Sequence, residues 1–112
     1  MANAFKTKTF DGSSTAANTD MTIYTCPSAT ETTIIGLTIA NIGTAQITVD
    51  VKFENADGNN VFLIKDAPLP VGSSFVPIGG DQKIVMEASD VLKVQCDTAN
   101  SADTTMSILE IT

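Results

Sequence analysis

A chain of 112 residues is one domain's worth of polypeptide, long enough to bury a single core but with little surplus stability from size. Its formal net charge of −7, with no arginine and six unclustered lysines, disfavours binding to nucleic acid or an anionic membrane, because such binding relies on basic side chains releasing counterions. Histidine is absent, which removes the Ser-His and Cys-His couples of acyl transfer and the commonest transition-metal ligand.

From the start of the chain, Met1 to Phe10 sets lysines among isolated phenylalanines, unlike the continuous apolar region of a secretory signal. No apolar run approaches the roughly 20 residues of a transmembrane helix, so a soluble protein not exported by that route is expected. Ala2 to Phe10 has the alternation of a strand, and Lys6 and Lys8 project to one side, as on an edge strand that discourages stray pairing. Asp11 to Asp20 is small, polar and aperiodic, and reads as a flexible connection. Residues 1–20 are thus an N-terminal edge strand or arm, and residues 21–112 a β-sandwich domain. The local pattern leaves open whether the arm folds back or reaches a neighbour.

Met21 to Cys26 alternates and ends at Pro27, which lacks a ladder donor. The longest patterned stretch is Glu31 to Glu54. There Thr33, Ile35, Leu37 and Ile39, then Ile47, Val49, Val51 and Phe53, recur every second residue on either side of Asn41-Ile-Gly-Thr44. The expectation is a long central hairpin whose reversal uses positive φ at Asn41 and Gly43. Asp57-Gly58 marks a second turn, returning Val61 to Lys65 antiparallel. Ala67-Pro-Leu-Pro-Val-Gly72 breaks the pattern and suits a crossing between sheets. Ser73 to Ile78, Lys83 to Glu87, Val91 to Asp97 and Thr104 to Ile111 are further strands. Gly79-Gly80-Asp81, Ala88-Ser89-Asp90 and Thr98 to Ala102 provide the turns between them. About eight short strands with such punctuation make an all-β protein, a single antiparallel β-sandwich of jelly-roll-like or Ig-like form.

No catalytic, cofactor-binding or metal site emerges. Ser73 or Ser74 beside a lysine would be the remaining nucleophile, but serine here clusters where turns need it. Glu31, Glu54, Glu87 and Glu110 offer carboxylates for glycoside hydrolysis, yet they read as strand ends and solvent faces. Without tryptophan and with Tyr24 alone, a sugar-binding platform is poorly supplied. Gly79-Gly80-Asp81-Gln82-Lys83 lacks the spacing of a phosphate loop, and Asp57-Gly58-Asn59 lacks the ligand ladder of a calcium loop. Cys26 and Cys96 are too few for a disulfide framework; free thiols are expected, and the sequence does not decide whether the two pair.

Five strings carry a resemblance: Tyr24-Thr-Cys-Pro27, Thr33-Ile-Ile-Gly-Leu37 with Ala40-Asn41, Ala67-Pro-Leu-Pro-Val-Gly-Ser-Ser74, Ile78-Gly-Gly-Asp-Gln-Lys-Ile84 and Ser107-Ile-Leu-Glu-Ile-Thr112. From about Met21 to its end the chain resembles small virion structural proteins of tailed bacteriophages, particularly marine and cyanobacterial ones. Where that group has Ala-Gly-Asp before the penultimate strand, this chain has Ala88-Ser89-Asp90. The resemblance implies a multicopy, non-enzymatic particle component, made in the host cytoplasm and residing in the virion. Its partners would be the major capsid protein or other virion proteins, and it would form a homo-oligomer, for which a trimer is one arrangement. Decoration or cement of the capsid is the leading expectation. A tail, neck or fibre adaptor is the alternative, and a carbohydrate-binding adsorption module a more remote one.

Overall fold

A computed structural model describes residues 3–79 and 83–112. These hold nine strands: β1 (Asn3–Phe10), β2 (Met21–Thr25), β3 (Glu31–Asn41), β4 (Ile47–Glu54), β5 (Asn60–Leu69), β6 (Ser74–Ile78), β7 (Ile84–Met86), β8 (Val91–Cys96) and β9 (Ala102–Ile111). They form two antiparallel sheets, β1-β9-β3-β6 with β7 also on β3, and β2-β8-β4-β5. Of the successive strands, only β4 and β5 pair with each other. With β6 and β7 taken as halves of one interrupted strand, each sheet has four positions, and the chain wraps between them as in a jelly roll. The expected turn and phosphate-loop-like string over Gly80, Asp81 and Gln82 lies outside the described residues.

The sheets meet over an apolar layer, with Ile34, Leu37, Ile39, Met106 and Ile108 from one and Val49, Val51, Leu92 and Val94 from the other wholly buried. Alternation makes this possible in β4, β8 and β9, because every second side chain of a strand shares a face; in β4 Asp50 is buried as well, on the other face, where its carboxylate accepts the Asp66 amide. In β3 the period slips. A bulge between Ile34 and Gly36 puts Thr32 and Ile34 inward before the bulge and Leu37, Ile39 and Asn41 inward after it. Thr33 and Ile35 therefore leave the core face expected of them. A bulge between Thr22 and Tyr24 in β2 likewise buries Ile23 and Tyr24 in succession and exposes Thr25.

The expected central hairpin does not form. β3 and β4 lie in different sheets, and the connection between them is a corner built on the buried Asn41 amide. Its Nδ2 donates to the carbonyls of Ala45 (2.9 Å) and Leu69 (3.0 Å), and its Oδ1 accepts from the Gly43 amide (2.9 Å). These bonds satisfy a backbone that is leaving one sheet for the other. Neither Asn41 nor Gly43 is among the described residues with positive φ. The second turn forms as its sequence indicates, with Gly58 at φ 95 and its amide on the Asn55 carbonyl.

Two further expectations change. The crossing between sheets expected over Ala67-Pro-Leu-Pro-Val-Gly72 is present, since β5 and β6 lie in different sheets, but it starts later than expected, because β5 continues to Leu69 with Pro68 opposite Thr48. A proline is tolerated there since β5 is an edge strand whose missing donor would face away from the ladder. The connection from Asp11 to Asp20 is pinned rather than featureless. The Asp11 carboxylate caps a 3-10 turn over Gly12–Ser14, and the Gly12 amide donates to Asp103 Oδ1. A Cβ on Gly12 would stand 1.7 Å from the Ala102 carbonyl oxygen, so only glycine fits. Further along, Asn18 donates to the Cys96 carbonyl and Asn100 to that of Thr15.

Candidate interaction surfaces

Several of the side chains that chemistry would need are engaged within the fold. Ser73 donates to the Pro70 carbonyl at 2.6 Å, closing a turn. Glu54 pairs with Lys93 at 3.0 Å. Glu31 and Glu87 line a cleft of about 590 Å³ at one end of the sandwich with Asp57 and Asp90. Both oxygens of Asp90 there accept backbone amides, from Ala56 (2.9 Å) and Glu87 (2.8 Å), so it organises two turns. The Asp57 amide donates to Asn55 Oδ1, an Asx turn within the β4–β5 hairpin. Among the described residues no group of histidine, cysteine, aspartate or glutamate is placed to hold a metal ion. Among them, too, no helix is long and apolar enough to cross a membrane.

Glu110 is not on a solvent face. It is 7% exposed on the inner side of β9, where Tyr24 OH donates to its Oε2 at 2.5 Å and Lys6 Nζ stands 2.8 Å from its Oε1. Tyr24 OH also bonds Thr32 Oγ1 at 2.9 Å, and Lys8 lies 5.7 Å from the Tyr24 ring centroid. This clasp ties β1, β2, β3 and β9 together across the open edge of the sandwich. The Lys6 hydrogen bond, followed by that of Tyr24, holds the Glu110 carboxyl below its ordinary range. Burial, reinforced by the Glu110 contact, pushes the Tyr24 phenol up. Sequence alternation places Glu110 with Met106 and Ile108; that signal marks its burial, although a carboxylate on a buried face is rare without a partner.

Cys26 and Cys96 are both buried and free. The Cys26 amide bonds the Asp90 carbonyl at one end of β8, and Cys96 closes the other end, six residues on and about 20 Å away at the rise of a strand. A disulfide needs Cα atoms within roughly 7 Å, so the fold keeps the thiols apart. The Cys26 thiol instead donates to the Thr30 carbonyl at 3.3 Å, and burial raises the Cys96 thiol above its usual pKa.

The outer faces of the two sheets differ sharply. Residues directly opposite across a ladder share a face. On the β1-β9-β3-β7 side the outward rows are Asn3–Ile111–Glu31, Phe5–Leu109–Thr33–Val85, Thr7–Ser107–Gly36 and Thr9–Thr105–Thr38. The charged residues on this side lie at its two ends, Glu31 in the first of these rows and Asp103, opposite Ala40 beyond the last, whose carboxylate accepts the Gly12 amide. Phe5 is 77% exposed and Val85 60% exposed. On the other sheet one row reads Thr22–Lys93–Lys52–Phe62. Lys52 there pairs with Asp20 at 2.9 Å, and Lys93 with Glu54. Phe62 sits against lysines, with Lys65 Nζ 4.6 Å and Lys52 Nζ 6.0 Å from its ring centroid.

An antiparallel β-sandwich with jelly-roll wrapping is therefore the class that the strand order defines. No protein-family model matches the chain, and no curated protein does. Among solved structures it is similar to a protein of the disulfide-linked pili that form Bacillus endospore appendages. The TM-score is 0.56 at 15% identity, covering 99% of this chain and 87% of that one. A match to VP2 in the subviral particle of infectious bursal disease virus has a TM-score of 0.49 at 15% identity, covering 96% of this chain but 32% of that one. At such identity the likeness is one of fold.

Proposed function

We propose that this chain is a non-enzymatic structural protein of a tailed-bacteriophage virion, serving as a capsid decoration or cement protein that docks in many copies on the major capsid protein lattice. The observation that carries this reading is the division of labour in the side chains. Ser73, Glu54, Asp90 and Glu110 are committed to turns, an ion pair and the clasp, while sheet faces and edge strands stay open for protein contact. The sequence resemblance supplies the setting, and jelly rolls are frequent building blocks of viral shells, an analogy at the level of fold. Repetition on a symmetric lattice turns weak contacts into firm attachment without a deep site. The buried Tyr24 leaves a carbohydrate-binding module without its tyrosine platform.

The test is copy number per purified particle, with heads separated from tails. Hundreds of copies partitioning with heads is the expected result. A dozen or fewer partitioning with tails would replace decoration by the tail, neck or fibre adaptor. Purified capsids lacking the protein should also take it up to saturation; no occupancy would remove the cement role.

A further inference from the structure

We infer that the outer face of the β1-β9-β3-β7 sheet is a self-association surface, on which a second copy of this chain docks about a two-fold axis through the Phe5–Leu109–Thr33–Val85 row. Three observations carry this, and none depends on the decoration reading.

The first is charge. Each copy carries −7, so two copies repel wherever acidic surface meets acidic surface. The rows through Phe5, Thr7 and Thr9 contain no ionisable side chain on β1, β9, β3 or β7. Across these rows a second copy meets no like charge, and Lys6, which borders the groove beside Phe5, is already paired with Glu110 at 2.8 Å. The opposite sheet would present Lys52 to Lys52 and Lys93 to Lys93, with their partners Asp20 and Glu54 already engaged.

The second is shape. Beside the Phe5 ring lies a groove of about 290 Å³ bounded by Lys6, Thr7, Ile35, Ser107 and Ile108. Ile35 comes to this groove because the β3 bulge turns it away from the core. Knob and groove thus share one face, which is what an isologous contact requires, since each copy must offer both halves of the same fit. The phenyl ring of each copy enters the groove of the other and lies offset against its counterpart, the arrangement favoured by aromatic pairs.

The third is area. Three strands at about 4.8 Å spacing over the eight residues of β1 at about 3.4 Å rise, with the three residues of β7 beside them, give a face of about 440 Å². Two such faces bury about 900 Å², the size of weak and transient contacts, and so define a reversible, concentration-dependent dimer rather than a permanent one.

Sedimentation equilibrium of the full chain, from low micromolar to near-millimolar concentration, tests this. The wild type should pass from monomer to dimer. Phe5→Asp should weaken dimerisation about tenfold or more, with an unchanged thermal midpoint of the monomer because Phe5 touches little of its own fold. Val85→Asp, at the other margin of the row, should act in the same direction, and Phe62→Asp on the opposite sheet should leave the dimer intact. A wild type that stays monomeric throughout overturns the inference, as does a trimer, a dimer indifferent to Phe5→Asp and Val85→Asp, or a dimer lost on Phe62→Asp. A monomer that still binds capsids would overturn the inference while sparing the proposed function.

Discussion

The two sheets bury matching apolar layers but solve the problem of their outer faces in different ways. Over β2-β8-β4-β5, Lys52 and Lys93 are held by carboxylates and Lys52 and Lys65 lie against the Phe62 ring, so the outward surface is charged and much of that charge is paired within it. Over β1-β9-β3-β7 the same positions carry threonine, serine and apolar residues, and Phe5 stands in the open. A solvated face needs charge to stay soluble, and a face kept free of charge while the chain as a whole is strongly acidic is suited to being covered.

This contrast belongs to the outside of the molecule only, so the strongest perturbation lies beneath it. Met106→Ala under the uncharged sheet and Leu92→Ala under the charged one should each cost about 3 kcal/mol in urea unfolding, because both side chains are wholly buried. A loss below about 1 kcal/mol at either site would show that the two layers are not equivalent.

Next in size is the clasp at the edge of the uncharged sheet. Glu110→Ala should cost about 2 kcal/mol, the scale of charge-assisted hydrogen bonds, tempered by the half-exposed Lys6. Because the folded carboxyl titrates below its ordinary value of 4.5, its stabilisation is complete above that value and is lost as pH falls through the lower folded one. Urea midpoints followed from neutrality to about pH 3 should therefore fall less steeply for Glu110→Gln than for the wild type.

Smaller effects separate the outer faces themselves. Phe62→Ala should cost the monomer about 1 kcal/mol through its lysine contacts, whereas Phe5→Ala should stay within about 0.5 kcal/mol. Equal losses at the two phenylalanines would erase the distinction. Smallest, Lys93→Ala should cost about 0.5 kcal/mol in dilute buffer and less in molar salt, which screens its pairing with Glu54. Thr105→Ala on the uncharged face should show no salt dependence.

Much of the architecture was legible in local pattern. The phases of β4, β8 and β9, the Asp57-Gly58 turn and the edge character of β1 all follow from alternation and turn chemistry, which act within a few residues. The partners of β3 were not legible, because alternation says which side chains are buried but not which strand lies beside them. Its bulge hid even the burial phase, since one inserted residue exchanges the two faces. The Ala88-Ser89-Asp90 turn has its own irregularity: Ser89 takes φ 73, a backbone conformation that favours glycine. The uncharged face was the hardest to see, because Phe5, Thr33, Val85 and Leu109 are scattered along the chain and meet only through register. A partial signal was present in β9, whose outward Thr105, Ser107, Leu109 and Ile111 contrast with Lys93, Gln95 and Asp97 on and just after β8.

The distance between Cys26 and Cys96 gives the protein a pair of native reporters. Each thiol is sealed at one end of the same strand, so its alkylation rate reads how often that end of the sandwich breathes, with no label introduced. If the two rates converge with rising denaturant, the ends open together as one cooperative unit; if they stay apart, the end nearer Asp90 and the end nearer Asn18 belong to separately opening units.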